Sequence, residues 1–199
     1  MGRKLIYPIA WCLCHCAMVS AQDVFISPVF EVLEQERSSP RMMGASLAFR
    51  FPFGADRYVF EVMPGILQSE WMDLPDAYER RDKRVGGSIA FLRTQRLNAF
   101  SVDYGLVAGW HRRTISLHHH SASEVLAYQT LGAGMQLALR YSRSPVVQPT
   151  LSLSPYYEHP LDDVDPEHSS LAPAQGLWGV DVRLGIVLGL PTPAGSQAP

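Results

Sequence analysis

The chain has 199 residues, 47% of them hydrophobic, with 17 basic and 19 acidic side chains and a formal net charge of −2. A net-negative chain lacks the electrostatic footprint of a nucleic-acid binder. No apolar run approaches the roughly 18 residues of a membrane-spanning helix, so any membrane insertion must be by strands.

The segment 1–21 reads as an export signal: Arg3 and Lys4 give a positive start, Leu5 to Val19 are mostly apolar, and Val19-Ser20-Ala21 offers a small-residue cleavage site. All three cysteines, Cys12, Cys14 and Cys16, lie inside it, so the mature chain from Gln22 has no disulfide and no thiol. Leu13 stands three residues before Cys16, as in a lipoprotein signal, but His15 occupies the position of the expected small residue. Losing Arg3 and Lys4 leaves 15 of the 17 basic residues against 19 acidic ones, net −4, with Lys83 the only lysine. One domain over 22–190 and a flexible tail over 191–199 are expected.

Apolar and polar residues then alternate with period two in eight segments. In 24–33, Ile26, Phe30 and Val32 oppose Ser27 and Glu31; in 42–52, Met43, Ala45, Leu47, Phe49 and Phe51 oppose Gly44, Ser46, Ala48 and Arg50. In 57–67, Tyr58, Phe60, Val62 and Ile66 oppose Glu61 and Gly65, and in 85–92, Val85, Ile89 and Phe91 oppose Gly86, Ser88 and Ala90. The fifth, 98–113, sets Phe100, Val102, Tyr104, Leu106, Ala108 and Trp110 against Ser101, Asp103, Gly105, Gly109 and His111. The sixth, 126–141, sets Leu131 to Tyr141 on odd positions against Thr130, Gly132, Gly134, Gln136, Ala138 and Arg140. In 146–158, Leu151, Leu153 and Tyr157 oppose Thr150, Ser152, Ser154 and Glu158; in 177–190, Trp178 to Leu190 on even positions oppose Gly179, Asp181, Arg183, Gly185 and Gly189.

Connections 34–41, 68–84, 112–125 and 159–176 are long and polar, whereas 53–56, 93–98 and 142–145 are short. In an up-and-down meander every long loop falls at one end and every short turn at the other. The polar parity is mostly Gly, Ser, Thr and Gln, whereas a water-facing sheet is usually rich in Lys and Glu. Aromatics cluster near the ends of the apolar parity, at Phe49, Phe51, Tyr58, Phe100, Trp110, Tyr141, Tyr157 and Trp178. The expectation is an all-β, eight-stranded antiparallel up-and-down transmembrane β-barrel with its apolar parity turned to lipid; a soluble secreted sandwich or lipocalin-like barrel is the competing fold.

From Val24 to Leu190 this pattern resembles the small eight-stranded bacterial outer-membrane barrels of the OmpA and OmpX type. The resemblance is architectural and carries no functional residue across. Such barrels commonly end on an aromatic residue that the assembly machinery reads, whereas here Leu190 is followed by "PTPAGSQAP".

The function expected is a structural or surface-interaction role in the bacterial outer membrane. Four long loops face outward, outer-membrane lipid is a partner, and an extracellular ligand or protein could engage the loops. A monomer without metal or cofactor is expected. The inward parity collects Glu31, Glu61, Asp103 and Asp181 against Arg50, Arg140 and Arg183, a lumen charge network that suggests a closed interior. With Val24 and Leu190 level at the seam, Glu31 and Arg183 are expected to meet. A small passive channel is the alternative. A lipid-modifying enzyme is a further one, resting on the His119-x-Ser121 pair with Glu124. His118-His119-His120 and the acidic stretch Asp162, Asp163, Asp165 and Glu167 contain metal-ligating residue types, but as solvated loop composition rather than built sites.

Overall fold

Strand alternation continues further than the apolar pattern suggests. The computed structural model describes residues 23–34, 41–54, 57–74, 78–119, 122–144, 146–162 and 176–189; the signal (1–21) and tail (191–199) read from the sequence lie outside the described residues. The strands are β1 (Asp23–Glu34), β2 (Met42–Phe53), β3 (Tyr58–Ser69), β4 (Met72–Leu74), β5 (Tyr78–Leu97), β6 (Phe100–His119), β7 (Ala122–Tyr141), β8 (Val147–Pro160) and β9 (Leu177–Gly189).

Every neighbouring pair is antiparallel, β1 pairs with β9, and β3 pairs with β5, so eight strands close into a ring. The three-residue β4 stands outside that ring, pairing Met72 to Leu74 with the part of β5 that rises past the end of β3. Closure leaves no free edge within the ring; above it, among the described residues, β4 and the upper part of β7 keep an unpaired edge. At the short-turn end, Asn98 with φ 52° and Gly54 with φ 61° supply the left-handed residues that tight hairpins require.

The burial pattern is inverted relative to a water-soluble barrel. Leu106 is 69% exposed and Met135 62%, whereas Arg50 is 2% and Asp103 0%. The alternation in the sequence therefore has its apolar side outward. Aromatic pairs edge this belt: Phe53–Tyr58, Phe53–Phe91 and Phe100–Tyr141 at the short-turn end, and Tyr157–Trp178 at the other, with ring centroids 5.1–5.7 Å apart. Phe49, expected among the exposed aromatics, is covered.

Segments 68–84 and 112–125, expected as long loops, are largely strand. β5, β6 and β7 each run 20 residues, and β6 and β7 stay paired from Phe100↔Tyr141 to His119↔Ala122. One side of the barrel is thus a tall ribbon. The apolar pattern stops short of it because the outward positions above Val85 and Trp110 become Lys83, Arg81, Arg112, Thr114 and Ser116, while backbone pairing continues.

Candidate functional site: the charged lumen

Among the described residues, two ionic clusters fill the interior, and above them on β5 Arg80 and Asp82 form a separate buried pair at 2.7 Å. Towards the short turns, Arg50 on β2 forms an ion pair with Glu61, its Nε 2.8 Å from Oε1, and donates through a terminal nitrogen to Asp103 at 2.6 Å. Asp103 also accepts from Thr94 Oγ1 at 2.8 Å and from Arg140 at 3.4 Å, and Gln136 Nε2 donates to Glu61 at 3.1 Å. Two arginines meet two carboxylates, so the cluster is neutral within itself.

The cluster nearer the tall end is larger. Arg84 on β5 donates to Glu31 at 2.7 Å, to Asp181 at 2.9 Å and to Glu158 at 3.3 Å. Arg113 on β6 donates to Glu31 at 2.8 Å and to Glu158 at 2.7 Å, and Tyr156 donates its hydroxyl to Glu31. Thr130 donates to Glu158 at 3.0 Å. With Arg183 against Asp181 at 3.3 Å, three arginines again balance three carboxylates. A charge taken out of water costs several kcal/mol unless it is paired; the matching supplies the pairing, while Glu31 Oε2 and the Nε atoms of Arg50, Arg84, Arg140 and Arg183 stay without a hydrogen-bond partner. Apolar side chains pack beside the clusters, among them Phe25, Met63, Leu92, Val107 and Val187. Among the described residues, two cavities lined by Arg84, Ser88, His111, Asp181 and Arg183 hold about 20 Å³ each.

The structure brings together Arg50, Glu61, Asp103 and Arg140 in one cluster and Glu31, Asp181 and Arg183 in the other. Glu31 and Arg183 do not pair with each other. β1 and β9 are level at Val24↔Leu188 rather than Val24↔Leu190, which sets Arg183 opposite Val29 and Asp181 opposite Glu31. Arg183 turns instead to Asp181 and to the sulfur of Met63, 2.7 Å away. Arg84, Arg113 and Glu158, which hold Glu31's cluster together, were not among the lumen residues read from the sequence. Their signal was parity: Arg84 continues the even positions of Gly86, Ser88 and Ala90, and Arg113 the odd positions of Asp103 to His111.

A further contact chain runs from Ser88 through His111 to Glu158. Ser88 Oγ lies 3.3 Å from His111 Nε2, and His111 Nδ1 lies 2.8 Å from Glu158 Oε1. Connectivity of this kind activates serine nucleophiles. Among the described residues, the cavity that Ser88 and His111 line holds only about 20 Å³. Gly109 makes the contact possible, since a Cβ there would lie 2.6 Å from Ser88 Oγ and 2.7 Å from the imidazole.

Of the other candidates read from the sequence, His118 sits edge-on to Trp71 and His119 stacks on Tyr78 at 4.4 Å, both on paired strand rather than a loop. His120, Ser121, Asp163, Asp165 and Glu167 lie outside the described residues. Asp162 accepts from the backbone N–H of Gln129 at 2.9 Å, and Glu124 stands opposite Leu117 near the tip of the ribbon. Among the described residues no group of three or more histidine, cysteine or carboxylate side chains is arranged to hold a metal ion.

No protein-family model and no curated protein matches the chain. Solved structures do. Neisserial surface protein A superposes with a TM-score of 0.54 at 10% identity, covering 84% of this chain and 96% of that one. The attachment invasion locus protein Ail of Yersinia pestis gives 0.53 at 13%, covering 83% and 97%. A major outer membrane protein from Thermus thermophilus gives 0.52 at 11%, covering 83% and 98%. At such identities the likeness establishes architecture, and the chain has the small eight-stranded β-barrel fold of these proteins.

Proposed function

We propose that this protein resides in the bacterial outer membrane as a closed, monomeric, non-enzymatic barrel with a structural or surface-interaction role. Segment 1–21 directs export of the chain. The observation carrying this reading is the inversion of the barrel: apolar side chains cover the outside while paired arginines and carboxylates crowd the inside. Lipid solvates such a surface and water does not. The charge-matched clusters serve as the barrel's core, in the place where a soluble barrel has its apolar residues. The role belongs to what projects, namely the ribbon of β5, β6 and β7 and the connections beside it, because segments carried on a rigid scaffold vary without loss of fold.

The channel reading conflicts with the filled lumen. Membrane fractionation with a heat-modifiability gel, followed by planar-bilayer recording, tests both points. Outer-membrane recovery, a mobility shift on boiling and no steady conductance are expected. A purely soluble species would overturn the location, and a steady open conductance would overturn the closed lumen.

A further inference from the structure

The tall ribbon carries a second feature that the closed-barrel reading does not use. Arg81 and Lys83 on β5 and Arg112 on β6 all have the outward parity, and the register Lys83↔Thr114 and Val85↔Arg112 makes Lys83 and Arg112 diagonal neighbours. Lys83 and Arg112 are exposed, and among the described residues neither is engaged by a carboxylate. Arg81 lies over the ring of Trp71 at 5.6 Å, which holds its guanidinium against the outer surface. From Arg81 to the level of Arg112 is four residues, roughly 13 Å along the strand. That span exceeds a single phosphate.

Directly below, the outward surface is apolar and is not flat. A groove of about 320 Å³ has Ala108, Ala133 and Gly134 as its floor and Ile89, Phe91 and Leu106 as its walls. The floor is low because the small residues meet in register, Ala108 beside Ala133 and Gly134 beside Val107. Arg112 is four residues above Ala108, again roughly 13 Å, close to the ~15 Å depth of one leaflet's hydrocarbon. A molecule with anionic groups at the cations would drop an alkyl chain into the groove.

We infer that the outward face of β5, β6 and β7 is a binding site for a diphosphorylated, multiply acylated glycolipid of the outer leaflet. Its phosphates lie against Arg81, Lys83 and Arg112, and one acyl chain occupies the groove. The site rests on the outer-membrane reading, since only in a membrane do both parts face lipid together. Continuity of the cations with the apolar belt selects an amphipathic occupant over a free anion or an acidic protein.

The test uses the full mature chain in phosphatidylcholine vesicles, with insertion checked first by the heat-modifiability shift. Binding of four probes is then measured: diphosphoryl hexa-acyl lipid A, the same lipid dephosphorylated, phosphatidylglycerol and inorganic phosphate. The diphosphoryl lipid should bind most tightly and inorganic phosphate least. The variant Arg81→Ala/Lys83→Ala/Arg112→Ala should weaken it on the order of a hundredfold, at about fivefold per cation. Ala108→Phe, which fills the groove, should weaken both acylated disaccharides, whereas Arg57→Ala/Arg93→Ala/Arg143→Ala at the opposite rim should change nothing. Equal binding of phosphorylated and dephosphorylated lipid, or equal losses from the two triple variants, would overturn the site. Failure to insert would instead overturn the membrane reading, and the wild-type probe series decides the matter even if a variant does not fold.

Discussion

Arg84 and Arg113 stand directly opposite one another on β5 and β6, and both donate to the same oxygen, Oε1 of Glu31, at 2.7 and 2.8 Å. Like charges in that cross-strand position repel. Across the seam, Glu31 and Asp181 are also directly opposite and repel in turn. The two unfavourable pairs are held on facing walls, and each neutralises the other through the lumen. Each like-charge pair is offset by the facing wall, so the interior favours closure.

It follows that removing one member damages more than removing a matched pair. Glu31→Gln should cost about 3–5 kcal/mol, because two buried guanidiniums lose a shared carboxylate. Arg113→Met should cost a similar amount. The double variant restores the charge balance and should lose less than the sum of the two, measured by urea unfolding in vesicles. Additive losses would remove the coupling.

On the outer face the penalty has a different origin. Leu106→Arg and Leu137→Arg place a cation in the belt and should each cost roughly 2–4 kcal/mol near the midplane. Leu106→Phe should be tolerated. Insertion yields into vesicles report the difference, and equal yields for Arg and Phe at position 106 would contradict the assigned facing.

The Ser88–His111–Glu158 chain gives a prediction about chemistry. A serine-directed fluorophosphonate should leave Ser88 unlabelled in the folded barrel, because the adjoining cavity holds only about 20 Å³. Gly109→Val should separate Ser88 from His111 and destabilise by about 1–3 kcal/mol through overpacking. Rapid labelling of Ser88 would show that the lumen admits substrate.

The ribbon should be separable from the barrel. Deleting 117–124 leaves Ile115↔Leu126 as the last pair and removes Leu117 from the small cluster with Ile115 and Tyr128. Both ionic clusters lie below the cut. The shortened chain should still show the heat-modifiability shift, whereas loss of the shift would make the ribbon part of the folding core.

How much of this was legible in the sequence depends on what period two can carry. Facing was legible at Leu106 and Asp103, because alternation separates the two sides wherever one is apolar. Strand length was not legible above Val85 and Trp110, where the outward positions turn polar and the apolar residues Ile115 and Leu117 fall on the inward parity instead. Register at the seam was lost for another reason. A slip from Val24↔Leu190 to Val24↔Leu188 moves every partner by two residues and keeps every face, so no hydrophobic pattern detects it. That slip replaced the expected Glu31–Arg183 contact with Arg84 and Arg113. Glu158 could have been read from its parity with Ser152 and Ser154.

An inverted barrel keeps its apolar exterior in lipid and its charged interior out of it. Nitroxide labels placed singly at positions 103 to 108 of β6 in vesicles, with collisional access to oxygen and to a polar nickel chelate, test that most directly. Oxygen access should peak at 104, 106 and 108 and fall at 103, 105 and 107, with the chelate excluded from the even positions. Access of the chelate to 104, 106 and 108 would place that face in water and contradict the inverted barrel.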